Sequence, residues 1–380
     1  MQLYDTARRE VVPFTPGEVV TMYTCGITPY DSAHLGHAAV YVTYDVLQRR
    51  LRDLGHRTLC VRNITDVDDD ILRKARELGV HYLDLAAGEI ARFDADMEAL
   101  GLLPAYSEPR ATSAIPDILG FIGMVLDSGH AYRAGGAVYF DISSFSRFGQ
   151  LSHLERDEMI ELATARGGRP EDPFKDDPLD FVLWQPSAAG EPSWESLWGP
   201  GRPGWHIECS ALALRELGTT IDLHGGGSDL IFPHHECEAA QSEAATGSLF
   251  VRHWMHVGMV GLDGEKMSKS LGNLVFVHAL LEDGHDPAAI RLALLAQNYR
   301  LGWEWKDAML EEAEDRLDRW RGAGRGGAAL EIVRARLDDD LDTAGAIRAI
   351  DEQAAANHGV SDAAQLLGVT VLNEPRALGL

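Results

Sequence analysis

Cysteine is scarce in this chain. Four thiols, Cys25, Cys60, Cys209 and Cys237, are spread over 380 residues. That is too sparse for a disulfide framework and fits reduced thiols free to meet a metal. Long apolar runs are missing as well, and nothing approaches the roughly 20 residues that cross a bilayer. The opening residues Met1-Gln2-Leu3-Tyr4-Asp5 lack the basic and apolar regions of a secretory leader. The expectation is a cytoplasmic protein with no membrane partner. The pattern G-x-x-x-x-G-K-[ST] is absent, which excludes a P-loop. Positive charge is short: 34 Lys and Arg against 59 Asp and Glu leave a formal net charge of −25. Such a field repels polyanions and disfavours a large nucleic-acid footprint. The length suffices for two or three domains with substantial cores.

The stretch from Cys25 to His37 is the most informative part of what is present. It follows the apolar run Val19-Val20-Thr21-Met22-Tyr23, which reads as a buried strand. It precedes Ala38 to Leu54, where apolar residues recur at helical spacing. A thiol therefore sits at the carboxyl end of a strand, where open parallel sheets bind ligands. His34-Leu35-Gly36-His37 opens the helix, and a helix amino terminus suits an anion. His34 and His37, three apart, can face the same phosphate, or they can be plain polar caps. Far downstream, Gly264-Glu265-Lys266-Met267-Ser268-Lys269-Ser270 makes a mobile cationic loop suited to phosphate oxygens. Taken alone, that string also fits an exposed turn.

Taken in order, Arg57 to Arg62 reads as a second strand ending in Asn63-Ile64-Thr65-Asp66. Asp68 to Asp70 fit an acidic helix start better than a magnesium site. Ile71 to Leu100 is helical with a break near Gly79. Residues 101–200 look like an insertion, with a strand at Val138 to Ile142 and loops at 166–173 and 192–203. The nucleotide fold resumes at Gly204, runs through a helix, and reaches the strand Thr220 to His224. Gly225-Gly226-Gly227-Ser228-Asp229 reads as the loop beyond it, letting backbone amides reach a ligand or simply turning. Helices are expected at 287–297 and 305–321, then a Gly/Ala-rich linker at 322–329 and a last short helical segment. The domain reading is 1–100 and 201–260 for two halves of a catalytic domain, 101–200 for an inserted connective subdomain, 261–300 for the lysine-loop region, and 301–380 for a helical bundle.

H-x-G-H after an early strand, together with Lys-Met-Ser-Lys-Ser late in the same chain, resembles the class I aminoacyl-tRNA synthetases. Those enzymes have a Rossmann-like α/β fold and activate a carboxylate with Mg-ATP. Cys25, Cys209 and His234 each fall at the sheet mouth in this reading. Two thiolates and an imidazole suit zinc and leave a fourth position open. Cys60 reads as a core residue and Cys237 points elsewhere, while His235 and Glu236 could support the ligands. His-His-Glu-Cys-Glu is not the H-E-x-x-H of a metalloprotease. An open zinc would bind a thiolate and so separate cysteine from serine.

Residues 3–321 resemble cysteinyl-tRNA synthetases and their shorter paralogues, the mycothiol-pathway ligases that join cysteine to an amino sugar. The resemblance implies one zinc on Cys25, Cys209 and His234, with Glu238 matching a further ligand of the synthetases. It implies catalytic roles for His34, His37, Lys266 and Lys269. It implies a cysteinyl-adenylate site of Cys25, Gly26, Ile27, Thr28, Asn63, Ile64, Thr65, Trp205, Gly227, Ser228, Asp229 and Val260. Cys25-Gly26-Ile27-Thr28-Pro29-Tyr30-Asp31 and the loop Arg166-Gly167-Gly168-Arg169-Pro170 resemble the ligases; Gln241 to Gly247 resembles the synthetases. Little room follows Ser270 for both a bundle and an anticodon domain. The expected partners are L-cysteine, ATP and a small amino sugar, with tRNA as the alternative acceptor, acting on a monomer. A binding module without catalysis is the reading from another class, and the paired histidines and lysines speak against it.

Overall fold

The computed structural model describes residues 1–30, 33–267 and 272–372. In chain order the strands are β1 (Gln2–Asp5), β2 (Glu10–Pro13), β3 (Val19–Ile27), β4 (Arg57–Ile64), β5 (Ala131–Ala134), β6 (Ala137–Phe140), β7 (Phe181–Gln185), β8 (Arg202–Pro203), β9 (Leu223–Gly227), β10 (Trp254–Val257), β11 (Val260–Leu262), β12 (Glu265–Lys266) and β13 (Trp303–Glu304). The helices are α1 (Leu35–Asp53), α2 (Asp69–Leu78), α3 (Tyr82–Ala99), α4 (Ile115–Asp127), α5 (Arg156–Ala165), α6 (Trp205–Leu217), α7 (Glu236–Thr246), α8 (Val277–Glu282), α9 (Pro287–Leu295), α10 (Asp307–Ala323), α11 (Leu330–Leu337), α12 (Thr343–Ala355) and α13 (Ser361–Leu366).

The centre is a parallel sheet of order β10-β9-β3-β4. Its strands are short apolar runs covered on both faces, the pattern that an all-parallel sheet demands. The order changes direction at β3, so the carboxyl ends of β3 and β9 flank the crevice where such sheets bind ligands. Gly79 in the left-handed conformation (φ 68) separates α2 from α3. Asp68 caps α2 by accepting from Ile71 N, which is the acidic helix start read from the sequence.

Two apolar cores lie on either side of the sheet. One joins α1 to α9, α10 and the last three helices. The other joins Tyr23 and Cys25 to α4, α6, α7 and the antiparallel sheet β5-β6-β7-β8 of the inserted segment. The region after the Gly/Ala-rich linker, read only as a last short helical segment of a C-terminal bundle, holds α11, α12 and α13, whose apolar residues complete the first core. Asp45 on α1 and Arg291 on α9 form a wholly buried ion pair within it. Arg291 also donates to Leu100 O and Leu367 O, at 3.2 and 2.7 Å. The guanidinium thereby ties three separate segments together.

The three glycines of 225–227 are strand, not loop. Sequence reading placed them beyond the strand, as a loop that offers backbone amides to a ligand or simply turns, and packing gives them another role. A Cβ on Gly225 would stand 1.6 Å from Met255 O and 2.1 Å from Tyr44 Oη. The glycines let β10 and α1 approach a strand that any side chain would push away.

Removing Arg291 takes the fully buried partner from Asp45 and leaves it Arg49, at 2.7 Å, while Leu100 O and Leu367 O lose a donor. Arg291→Leu is expected to destabilise the protein by about 2–4 kcal/mol in urea unfolding. A loss under about 1 kcal/mol would mean that Arg49 alone compensates Asp45.

Candidate functional site

Alternation along β3 turns Tyr23 and Cys25 to the same face of the sheet. Cys209 lies one turn into α6. His234 sits in the kinked turn of residues 231–235 that precedes α7, and Glu238 follows one helical turn later. These four donors, all buried, lie within 4.8 Å of one another. Cys25 Sγ is 3.9 Å from Cys209 Sγ and 3.6 Å from Glu238 Oε1. Glu238 Oε1 is 3.0 Å from His234 Nε2. A second, overlapping set consists of Cys25, His224, His235 and Glu238. There Glu238 Oε2 meets His224 Nε2 at 3.1 Å, and Cys25 Sγ meets His235 Nε2 at 3.2 Å.

The electrostatics follow from crowding donors without water. Burial pushes the Cys25 thiol well up. Burial also raises Cys209, but the Cys25 hydrogen bond and the His234 charge outweigh it and bring Cys209 down to about 6. Burial disfavours charged His234, yet Glu238 and Cys209 beside it raise it to about 10. Glu238 is raised by burial but held down at about 2 by His234 and His224. Burial, with the neighbouring imidazoles, keeps His235 and His206 neutral. His206 Nδ1 lies 2.9 Å from His234 Nδ1. A neutral His206 accepts that proton and leaves His234 Nε2 facing the thiols, the support that ligating histidines use. Two sulfurs, an imidazole nitrogen and a carboxylate oxygen converging in a buried space fit zinc.

A second cluster begins one residue further on. Gly26 N donates to Asn63 Oδ1 at 2.8 Å, and Asn63 Nδ2 to Thr65 Oγ1 at 3.1 Å. A Cβ on Gly26 would fall 1.5 Å from Asn63 O, so only glycine lets β3 and β4 close here. Thr28 hydrogen-bonds Asp68, whose carboxyl burial pushes up to about 6. Ile27 and Ile64 are strand partners with side chains turned into apolar clusters. Trp205 opens α6 and stacks on His234 with ring centroids 4.2 Å apart. Gly227 ends β9, Ser228 and Asp229 form the turn after it, and Val260 begins β11.

His34 caps α1: its Nδ1 accepts from Gly36 N at 3.0 Å. It is therefore the cap of the plainer reading, and it also stacks on His37 at 3.9 Å. The described residues on either side of the lysine loop are tied to α1 and β11. Leu35 N donates to Val275 O at 2.9 Å, and Met267 N donates to Val260 O at 3.2 Å. Lys266 closes β12. Lys269 lies outside the described residues.

The structure thus brings together Cys25, Cys209, His234 and Glu238 in one cluster and Gly26, Asn63 and Thr65 in another. Cys60 and Cys237 are buried core thiols. Glu236 points away, accepting from Gly149 N and Ser152 N. Sequence reading gave His235 only a supporting role; it touches Cys25 directly. It missed Tyr23, His224 and His256. Period-two spacing from Cys25 would have found Tyr23. The two histidines on β9 and β10 carry no local signal, because only the folded sheet brings each of them against His235.

A buried thiol-containing cluster at the carboxyl edge of a parallel sheet, beside the capped start of α1, is the arrangement expected of a class I synthetase-type catalytic domain. The profile of tRNA synthetases class I (C) catalytic domain matches residues 11–315. Among curated relatives, the Nocardiopsis dassonvillei protein named L-cysteine:1D-myo-inositol 2-amino-2-deoxy-alpha-D-glucopyranoside ligase is 50% identical, covering 92% of this chain and 88% of its own. A Gordonia bronchialis protein of the same name is 51% identical over 92% of this chain and 88% of its own. The chain belongs to the class I (C) synthetase family and, within it, to the group of these ligases. Solved structures share the fold at low identity. Mycobacterium tuberculosis methionyl-tRNA synthetase with methionyl-adenylate aligns at TM-score 0.68 and 17% identity, covering 93% of this chain and 88% of that one. Thermus thermophilus arginyl-tRNA synthetase aligns at 0.59 and 13%, covering 96% and 84%.

The metal-free cluster at pH 7 holds protons on Cys25 and His234 that ligation must displace. Zinc uptake is expected to release about two protons per ion, and affinity to rise with pH toward the His234 value of about 10. An indicator-dye titration reads both, and uptake without proton release would contradict the ligand set. Cys209→Ser is expected to drop bound zinc at least tenfold by elemental analysis.

Proposed function

We propose that this protein activates L-cysteine with ATP and joins the cysteinyl group to the amine of 1D-myo-inositol 2-amino-2-deoxy-α-D-glucopyranoside. The observation that carries the reading is the adjacency of Cys25 and Gly26. One belongs to a buried cluster of sulfur, nitrogen and oxygen donors, the other to the nucleotide cradle. The names of relatives half identical to this chain support the acceptor.

In this reading the substrate sulfur lies against Cys25, Cys209, His234 and Glu238. Zinc held by those side chains would supply a Lewis acid that ionises and retains a thiol. A serine hydroxyl ionises poorly there, so discrimination does not depend on shape alone. Gly26, Asn63 and Thr65 hold the other end of the amino acid, with its carboxylate toward the α-phosphate of Mg-ATP. A carboxylate oxygen attacks that phosphorus, the bond to pyrophosphate breaks, and cysteinyl-adenylate forms. His34 and His37 at the α1 terminus stabilise the charge that builds. Lys266 and Lys269 take the departing phosphates as flexible point charges. The sugar amine then attacks the acyl carbon, the C–O bond to AMP breaks, and the nitrogen gives up a proton to leave an amide.

The test supplies cysteine, ATP and either the amino sugar or tRNA. AMP and the amide mass with the sugar amine are expected; AMP only with tRNA would overturn the acceptor. Lys269→Ala is expected to slow cysteine-dependent ATP–pyrophosphate exchange by about 10²–10³, and a near-unchanged rate would remove its role.

A further inference from the structure

β3 is irregular where the donor cluster meets the cradle. Its pairing with β4 runs Thr24 to Arg62 and then Ile27 to Ile64, so three steps of one strand oppose two of the other. Cys25 and Gly26 therefore stand opposite Asn63 alone, in a β-bulge of the kind that re-aims side chains beside a site. Two side chains take the backbone groups there. Asn63 Oδ1 accepts from Gly26 N at 2.8 Å, and Tyr41 Oη donates to Cys25 O at 3.1 Å. That carbonyl and that amide belong to one planar peptide unit and point opposite ways. Glycine would let the plane turn, and the two bonds hold it from both ends. Tyr41 is buried on α1, one helical turn after His37. Its ring packs edge-on against Phe93, centroids 5.3 Å apart, with the Arg62 guanidinium 5.2 Å over it. Packing secures the ring, and the hydroxyl serves the Cys25 carbonyl.

We propose that the Tyr41 hydroxyl, by fixing the Cys25–Gly26 peptide plane, sets the span between the donor cluster and the cradle and so selects cysteine over its longer homologue, homocysteine. The inference rests on the proposed activation of cysteine, with its sulfur at the cluster and its carboxylate at the cradle. Homocysteine carries the same thiol and carboxylate with one more methylene between them. The donor cluster meets the same sulfur in both, so the choice between them falls to the span. A span held rigid leaves the longer acid with its carboxylate out of line with the α-phosphorus, and a misplacement of about 1 Å costs about 10²-fold in rate. A plane free to turn relaxes that penalty and aligns cysteine less well. Tyr41 acts through the peptide plane and is a positioning residue.

The test compares ATP–pyrophosphate exchange driven by cysteine and by homocysteine in the full chain and in Tyr41→Phe, with circular dichroism to establish the fold. Without the hydroxyl, the ratio of kcat/KM for homocysteine to kcat/KM for cysteine is expected to rise about tenfold, with the KM for ATP within about twofold of its original value. That ratio does not depend on how much of the variant is active, so a loss of stability alone leaves it unmoved. An unchanged ratio in Tyr41→Phe would overturn the inference. 4-Aminophenylalanine at position 41 keeps a weaker N–H donor, so an intermediate ratio supports the proposal. It also decides the matter if the Phe variant does not fold: a ratio there equal to that of the unaltered protein counts against the hydrogen bond. Cysteine that drives no exchange in the unaltered protein would remove the proposed function and this inference together. Cysteine-driven exchange with a ratio indifferent to position 41 removes the inference alone.

Discussion

Two thiols, an imidazole and a carboxylate share one buried space at the mouth of the parallel sheet, and the surrounding structure answers to that fact. Groups of this kind are destabilising when desolvated unless they pair or bind a cation. Here they pair with each other. Glu238 lies between His234 and His224, and Cys209 is held low by Cys25 and His234. The ionic arrangement of the metal-free cluster is the one a divalent cation can take over, with protons leaving as it enters. The residues come from β3, α6, β9, the turn before α7 and α7 itself, so the cluster forms only when the sheet and both helices are assembled.

That assembly depends on close backbone approach. Gly26 lets β3 close on β4, and Gly225 lets β9 close on β10 and on Tyr44 of α1. Side chains at either position would separate strands whose carboxyl ends carry the site. On the far side of the sheet, Arg291 joins α1 and α9 to the C-terminal helices. The helix whose amino terminus carries His34 and His37 is thereby fixed at its middle, through Asp45.

The sequence was legible where the physics is local. The apolar run before Cys25, the helical spacing after His37, the break at Gly79 and the cap at Asp68 each rest on neighbours within a few residues. So did the choice of Cys25, Cys209 and His234, because each follows or precedes a recognisable element boundary. The glycine run at 225–227 was misread because glycine signals freedom in sequence and closeness in a packed sheet. β10, β11 and β13 went unseen, since strands of two to four residues carry too little alternation to register. His224 and His256 were missed for a related reason. Each reaches His235 only because β9 and β10 pair and pack under the turn before α7, which is a matter of tertiary structure. The C-terminal helices were under-read because their apolar faces are short and make sense only against α1 and α10.

The placement of Cys25 and Gly26 carries the functional argument furthest. Consecutive Cα atoms are about 3.8 Å apart, and on a strand their side chains point to opposite faces. Cys25 therefore turns its sulfur down into the donor cluster, while the amide of Gly26 stays tied to Asn63 at the cradle. A ligand held at both points has its two ends separated by a fixed span of extended backbone. Cysteine has a thiol at one end, a carboxylate at the other and two carbons between. In the proposed function, holding the sulfur at one point and the carboxylate at the other would turn adenylation into a reaction between prepositioned groups, which is where most of the rate of such a transfer originates. On that proposal the selectivity and the catalysis would both depend on the same nine-residue strand.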